Sequence, residues 1–204
     1  MADLVSARFP QSNPIQALLG QTPNAVQSNG PLRTNLEWPL LGNPTDGALA
    51  ATGVGCAVAI PVDPGQIVSK ISILAGATAE ATGTHAFAAL YSGIATPALL
   101  GQSTDNTGAA AVAASARFDF TLATPVAITP ANAPNGFVYA SIVVAAGTIP
   151  TALVCSIPTA VGYQYFSTGP LFLAATHGSS LTTTAPATIA SPAAKAVAPV
   201  VVLS

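Results

Sequence analysis

The sequence carries very little charge. Its 204 residues include five basic and seven acidic side chains, and charged residues are 6% of the chain, against about 25% in an average globular domain. None of them lies between Phe120 and Ala194. A free monomer normally stays in solution through interspersed surface charge, so this composition favours a subunit that hides much of its surface in a larger assembly. The net charge of -2, with no two cations adjacent, also argues against nucleic-acid binding.

Long apolar runs are missing as well. The mean hydropathy is +0.58, yet Thr, Ser, Gly or Pro interrupts every run before about 18 residues, so no membrane span is predicted. The N-terminus lacks a basic stretch followed by an apolar one, so we expect no secretory signal and synthesis in the cytoplasm. Cytoplasmic proteins usually keep thiols reduced, although a bridge between Cys56 and Cys155 stays open.

The sequence also lacks a convincing catalytic or metal-binding motif. Glu80 and His85 are two potential ligands without a third, and we interpret them as a solvated turn carboxylate and a histidine at the start of a strand. His177 lies beside Ser179 and Ser180, but no nucleophile-elbow motif accompanies them, so we interpret them as loop residues. No enzymatic activity, cofactor or metal site is predicted.

Two further sets of residues have competing interpretations. Asp63, Asp105 and Asp119 lack calcium-loop spacing and fit turns better than a metal site. Tyr163 and Tyr165 would project to the same side of an extended chain, where they could stack on a sugar. The sequence therefore keeps a glycan site at these two tyrosines as an alternative.

Residues 1–46 differ from the rest of the chain. Six prolines and many Asn and Gln residues rule out a long helix or a central strand. Apolar side chains nevertheless recur at intervals, which a solvated linker would not need. We interpret the segment as an extended N-terminal docking arm, with these interface anchors: Phe9, Leu18, Leu19, Leu36, Trp38 and Leu40.

The rest of the chain has the pattern of an antiparallel β-sandwich. Short β-branched and apolar runs alternate with Gly, Pro, Asn and Asp, and residues 117–122 alternate strictly, with Phe118, Phe120 and Leu122 on one side. The pairs Pro64–Gly65 and Asn135–Gly136 predict hairpin turns. We expect strands at 55–62, 66–74, 85–92, 97–103, 116–123, 125–129, 136–145, 151–157, 170–176 and 199–204.

The predicted organisation has three parts. A β-sandwich domain spans residues 47–177, after the arm. Residues 178–204 form a Thr/Ala/Pro-rich connection followed by an apolar C-terminal strand, which should complete the domain's own sheet or add to a neighbour's.

Three stretches carry a resemblance to a known family. They are "GATA" (Gly76–Ala79), "THAFAALY" (Thr84–Tyr91) and "LLGQSTD" (Leu99–Asp105). With the flanking sequence from Lys70 to about Thr159, they resemble the β-sandwich module of tailed-bacteriophage virion proteins of the minor tail and head-decoration types. The resemblance implies an antiparallel, jelly-roll-like sandwich and brings no enzymatic residues with it.

Two functional hypotheses follow. The first is a non-enzymatic phage structural protein, made in the host cytoplasm and located in the virion, that decorates or cements the capsid or tail by arm docking and sandwich packing. Its partners would be other virion proteins and further copies of itself, with a trimer suggested by analogy to phage appendages. The alternative is a module of a phage tail that binds host-surface glycan. The sequence leaves head or tail location open.

Overall fold

The computed structural model describes residues 33–35, 43–106, 112–157 and 172–204. The described residues contain strands and turns but no α-helix. The strands, in chain order, are β1 (Arg33–Thr34), β2 (Thr45–Ala48), β3 (Gly55–Pro61), β4 (Ile67–Leu74), β5 (Ala81–Tyr91), β6 (Leu99–Gln102), β7 (Arg117–Ala127), β8 (Phe137–Thr148), β9 (Thr151–Ser156), β10 (Ala174–His177), β11 (Ala193–Ala194), β12 (Val197–Pro199) and β13 (Val201–Leu203).

The strands form two layers. One layer is a six-stranded sheet in the order β11-β10-β3-β8-β5-β6, and the other combines a four-stranded sheet, β1-β13-β4-β7, with a three-stranded sheet, β12-β9-β2. A bridge between Ala75 and Ala152 joins the two smaller sheets, and every pairing is antiparallel. The prediction of an all-β antiparallel sandwich is confirmed.

The core lies between the layers and is built from alternate strand residues. Val58 and Ile60 of β3 face Ile71 and Ile73 of β4 and Phe120 of β7 in one buried cluster. The alternation predicted for residues 117–122 is therefore confirmed, because Leu122 is also buried in this cluster and Phe118 packs against it. Burying one large apolar side chain contributes about 1.5 to 3 kcal/mol, so this cluster fixes which way each strand faces.

The prediction of hairpins at the two Gly turns is wrong. Gly65 and Gly136 do have the positive φ that such turns need, at 91° and 73°. The turns instead carry the chain between layers, from β3 to β4 and from β7 to β8. The reason is burial: β3 and β8 are covered on both faces and take central positions, whereas β4 and β7 are half-exposed and pair in the outer sheet.

The proline-rich N-terminal segment contributes two short strands to the sandwich. β1 pairs with β13, and β2 pairs with β9. Both lie at sheet edges, where proline-rich neighbours are tolerated. The six anchors and the two tyrosines named above lie outside the described residues: Phe9, Leu18, Leu19, Leu36, Trp38, Leu40, Tyr163 and Tyr165.

The outer face of the six-stranded sheet is also buried. Leu181, Ala185 and Ile189 pack over it, in a second cluster with Phe87 and Tyr139. The segment from residue 178 to 192 is therefore a packed cover of the sheet rather than a flexible connection. The C-terminal run after it pairs with β9 and β4 of its own chain, which is the first of the two outcomes expected from the sequence.

Candidate functional site

Glu80 is buried, so its interpretation as a solvated turn residue is wrong. Its side chain lies against β5 at Gly83, where a Cβ atom would come within 1.6 Å of Oε1. Oε2 accepts a hydrogen bond from the N–H of Val112 at 3.2 Å, and the N–H of Glu80 donates to the Val112 carbonyl at 2.9 Å. Burial raises the pKa of the Glu80 carboxyl, and the Val112 hydrogen bond opposes this only in part. Glu80 therefore ties the segment at Val112 to the start of β5.

We expect the pH dependence of stability to reveal this buried carboxyl. A carboxyl whose pKa is raised by folding binds more protons in the folded state, so the free energy of unfolding falls as pH rises above the ordinary value of 4.5. Glu80→Gln should therefore gain stability relative to the parent between about pH 4 and pH 8, measured by urea unfolding at both values.

Asp119→Asn is the matched control for Glu80→Gln. Burial alone would raise the pKa of the Asp119 carboxyl, but hydrogen bonds from Ser72 and Arg117 and the charges of Arg117 and Lys70 together lower it. The Asp119 carboxylate therefore adds stability above pH 3.8, and this is lost on acidification. Asp119→Asn should lose stability relative to the parent as pH rises. The same direction in both variants would contradict this account of Glu80.

His85 is paired with a residue that the sequence did not connect to it. His85 Nδ1 lies 2.7 Å from Asp105 Oδ2, and Asp105 Oδ1 accepts the N–H of Ala86 at 3.0 Å. Asp105 thus ties the segment after β6 to β5. No sequence spacing indicates this contact, because it arises from the pairing of β5 with β6.

His177 forms a buried pair with Ser141. His177 Nε2 lies 2.7 Å from Ser141 Oγ, and the imidazole packs edge-on to Tyr91, with ring centroids 5.7 Å apart. Both side chains of the pair are nearly inaccessible, at 4% and 1% exposure. The sequence interpretation of His177 as a loop residue is therefore wrong: it ends β10 and packs beneath the cover segment. An inaccessible serine cannot attack an external substrate.

The two cysteines and the candidate carboxylates are not brought together into one site. Cys56 and Cys155 are buried free thiols in different sheets, and burial raises the pKa of Cys56 to about 11, opposed by the charge of Lys195. Asp63 pairs with Arg33 rather than with another carboxylate. Within the described ranges, no three His, Cys, Asp or Glu side chains come together as a metal site.

One solvent-facing surface does collect charge. Lys70 of β4 and Arg117 and Asp119 of β7 lie side by side on the outer face of the four-stranded sheet, around the buried Ser72 of β4, and we call these four residues the charged face. Arg117 Nε donates to Asp119 Oδ1 at 2.7 Å and Nη2 donates to Ser72 Oγ at 2.9 Å. Lys70 Nζ lies 3.9 Å from Asp119 Oδ2. This face is charged and exposed to solvent, whereas the outer side of the six-stranded sheet is apolar and covered.

Comparison with known proteins adds no assignment. No family model matches the chain, and no curated protein matches it. In the part of the chain that the structure describes, no helix is long and apolar enough to cross a bilayer.

Proposed function

We propose that the chain is a non-enzymatic structural protein of a tailed-bacteriophage virion, which decorates or cements the capsid or tail. Its N-terminal arm would dock onto neighbouring virion proteins or further copies of the chain. The observation that carries the proposal is the use of the scarce titratable groups. Glu80, Asp105 and His177 each hold one part of the fold against another, and within the described residues no three His, Cys, Asp or Glu side chains converge on one site.

The resemblance to phage virion modules supports the same proposal. Its second and third stretches pack together, through the pairing of β5 with β6 and the contact of His85 with Asp105. Its first stretch is the loop that leads from β4 to β5. These residues make a scaffold, and a scaffold is what a virion subunit needs.

The charge distribution supports an assembled subunit. Three of the charged side chains gather on the charged face, whereas wide stretches of the remaining surface carry Thr, Ser, Ala and Gly. We infer that the charged face stays towards solvent in the virion and that uncharged surfaces contact neighbours. Exposed ion pairs add at most about 1 kcal/mol to stability, so this face serves solubility rather than folding.

Changing the arm anchors in the full-length chain tests the proposal. Phe9→Ser, Leu18→Ser and Leu19→Ser together should lower incorporation into particles about a hundredfold, because each lost apolar anchor costs about 1 kcal/mol or more. The readout is the amount of protein in purified virions of the encoding phage. Immunogold labelling of the parent virions then distinguishes head from tail.

A matched triple variant controls for changes in the arm that remove no apolar anchor. Gln11, Asn13 and Gln16 are polar residues of the same segment, and changing all three to Ser should leave incorporation unchanged. Both triple variants should keep the thermal unfolding midpoint of the parent, since β1 to β13 are untouched. Normal incorporation of the apolar triple variant would contradict arm docking, and absence of the parent from virions would overturn the virion role itself.

The alternative is a host-surface glycan-binding module of a phage tail. The tyrosine pair that suggested it, Tyr163 and Tyr165, stays a prediction. A cavity elsewhere in the sandwich favours the same class of ligand.

A further inference from the structure

A cavity opens where the four-stranded and three-stranded sheets meet. Its volume is about 460 Å³, within the range of small-molecule sites. The strands β2, β4, β7 and β9 each contribute to its wall, together with the loops before β5 and β7. The lining residues are Asp46, Leu74, Ala75, Gly76, Ala77, Ser115, Ala116, Arg117 and Leu153.

The wall of this cavity is held in place by backbone hydrogen bonds. The N–H of Ala75 donates to the Ala116 carbonyl at 2.8 Å, and the N–H of Ser115 donates to the Gly76 carbonyl at 2.7 Å. Ser115 adopts a φ of 52°, a left-handed conformation that is costly for a residue with a Cβ atom. The two hydrogen bonds hold this conformation in place and fix the loop before β7 against residues 75 and 76.

Asp46 offers a fixed acceptor at the cavity. Its Oδ1 accepts the N–H of Ala77 at 3.1 Å. Gly76 makes this approach possible, because a Cβ atom there would lie 1.7 Å from Oδ1. Asp46 is exposed, so Oδ2 is available to a hydroxyl group in the cavity. A carboxylate held by its first oxygen accepts with its second at little further entropic cost.

Arg117 offers donors on the same cavity, but its charge is already compensated. Nε donates to Asp119 and one hydrogen of Nη2 to Ser72, which leaves Nη1 and the second hydrogen of Nη2 as donors. Because Asp119 neutralises the guanidinium locally, the site favours a neutral acceptor over a carboxylate or phosphate. The two cations Arg117 and Lys70 and the two carboxylates Asp46 and Asp119 also leave the site without a net charge to attract an ionic ligand.

We propose that this cavity binds one neutral sugar ring, such as the terminal hexose of a larger glycan. Sugar hydroxyls both donate and accept, so one edge of the ring matches Asp46, Ser115 and Arg117. The apolar C–H face of the ring matches the side chains of Ala77 and Ala116. The cavity is open on the surface, which lets a terminal ring enter while the rest of the glycan stays outside. This inference does not depend on the virion role.

The test uses the full-length chain and amide resonances in a ¹⁵N-labelled sample. D-glucose, D-galactose and N-acetyl-D-glucosamine are titrated separately, with N-acetylneuraminic acid as a charged comparison. At least one neutral sugar should shift the amides of Gly76, Ala77 and Ser115 saturably, with a dissociation constant of about 1 to 10 mM, as expected for a ligand of about 12 heavy atoms.

Two variants and one control locate the binding. Asp46→Asn keeps the acceptor for Ala77 but weakens the hydrogen bond to a hydroxyl, so affinity should fall about tenfold. Ala116→Leu should fill the cavity and abolish the shifts. Asp63→Asn, the same change on a carboxylate outside the cavity, should bind like the parent.

Three results would overturn the sugar site. They are the absence of saturable shifts with every neutral sugar up to about 100 mM, saturable shifts confined to residues away from the cavity, and unchanged binding in both Asp46→Asn and Ala116→Leu. Tighter binding of N-acetylneuraminic acid than of any neutral sugar would overturn the assignment of ligand class. None of these results bears on virion incorporation, so the two proposals can fail separately.

Discussion

Asn35→Ala is expected to lower the free energy of unfolding by about 3 kcal/mol, because it leaves two buried backbone groups without partners. Asn35 is 1% exposed. Its Nδ2 donates to the Pro199 carbonyl at 2.8 Å, and its Oδ1 accepts the N–H of Val201 at 2.9 Å. These groups flank Val200, the residue at which the chain leaves β12 in one sheet and enters β13 in another. The backbone hydrogen bonding between strands is interrupted where the chain changes sheets. The Asn35 side chain supplies partners for the Pro199 carbonyl and the Val201 N–H at this point.

Thermal and urea unfolding of the full-length chain measure the effect of this substitution. The midpoint temperature should fall by about 10 °C for a chain of this size. Asn43→Ala is the matched control, because Asn43 is exposed, and it should change stability by less than about 0.5 kcal/mol. If Asn35→Ala is as stable as Asn43→Ala, the amide does not hold the junction of the two sheets.

The sequence predicts the longer strands because each of them carries its own burial pattern, but it misses the short strands β1, β2 and β11 and divides β7 into two. Alternation at Phe118, Phe120 and Leu122 identified both the strand and its inner face, and β-branched runs identified β3, β4 and β8. Periodicity is a local property, and the pleat converts it directly into a buried side. The all-β class follows from summing such local signals.

Strand partners could not be predicted from the same signals. The turns at Gly65 and Gly136 have the expected backbone conformation, yet both connect different layers. A turn residue fixes how the chain reverses, whereas the sheet that the next strand joins depends on which strands need cover on both faces. That requirement is set by residues far away in sequence, so hairpin chemistry alone gave the wrong partner.

The surroundings of the candidate residues also depend on parts of the chain that are distant in sequence. Glu80 looked solvated because its neighbours are Thr, Ala and Gly, but the small size of Gly83 is what lets the carboxyl lie buried against β5. No sequence pattern connects Asp46 with Arg117, since they are 71 positions apart. They line one cavity because it opens between the sheets that contain β2 and β7.

The fold and the composition point towards one use of the chain. Its described buried polar side chains close loops and sheet junctions, and three of its charges, Lys70, Arg117 and Asp119, collect on one face. These buried polar side chains therefore stabilise one arrangement of the strands and loops. We infer that such a shape serves contact with other molecules, through the arm in the proposed virion role and through the cavity in the proposed sugar site.

His177 should make the protein lose stability on acidification. Burial lowers the pKa of its imidazole from 6.5 to about 4. Protonation would place a charge beneath the cover segment and make both ring nitrogens donors, although Nδ1 has no hydrogen-bond partner among the described residues. A base whose pKa is lowered by folding binds more protons when unfolded, so its effect is absent above about pH 6.5 and develops as pH falls towards 4.

The expected loss over this window is about 3 kcal/mol, since each pKa unit corresponds to about 1.4 kcal/mol. Glu80 acts in the opposite direction above pH 4.5, so the parent alone would understate the effect of His177. The difference in free energy of unfolding between the parent and His177→Gln isolates it, because Gln stays neutral and can still bond Ser141. That difference should shift in favour of the variant by about 3 kcal/mol between pH 7 and pH 4. A difference that stays constant with pH would mean that the imidazole accepts its proton without cost, and that the cover over β10 admits water.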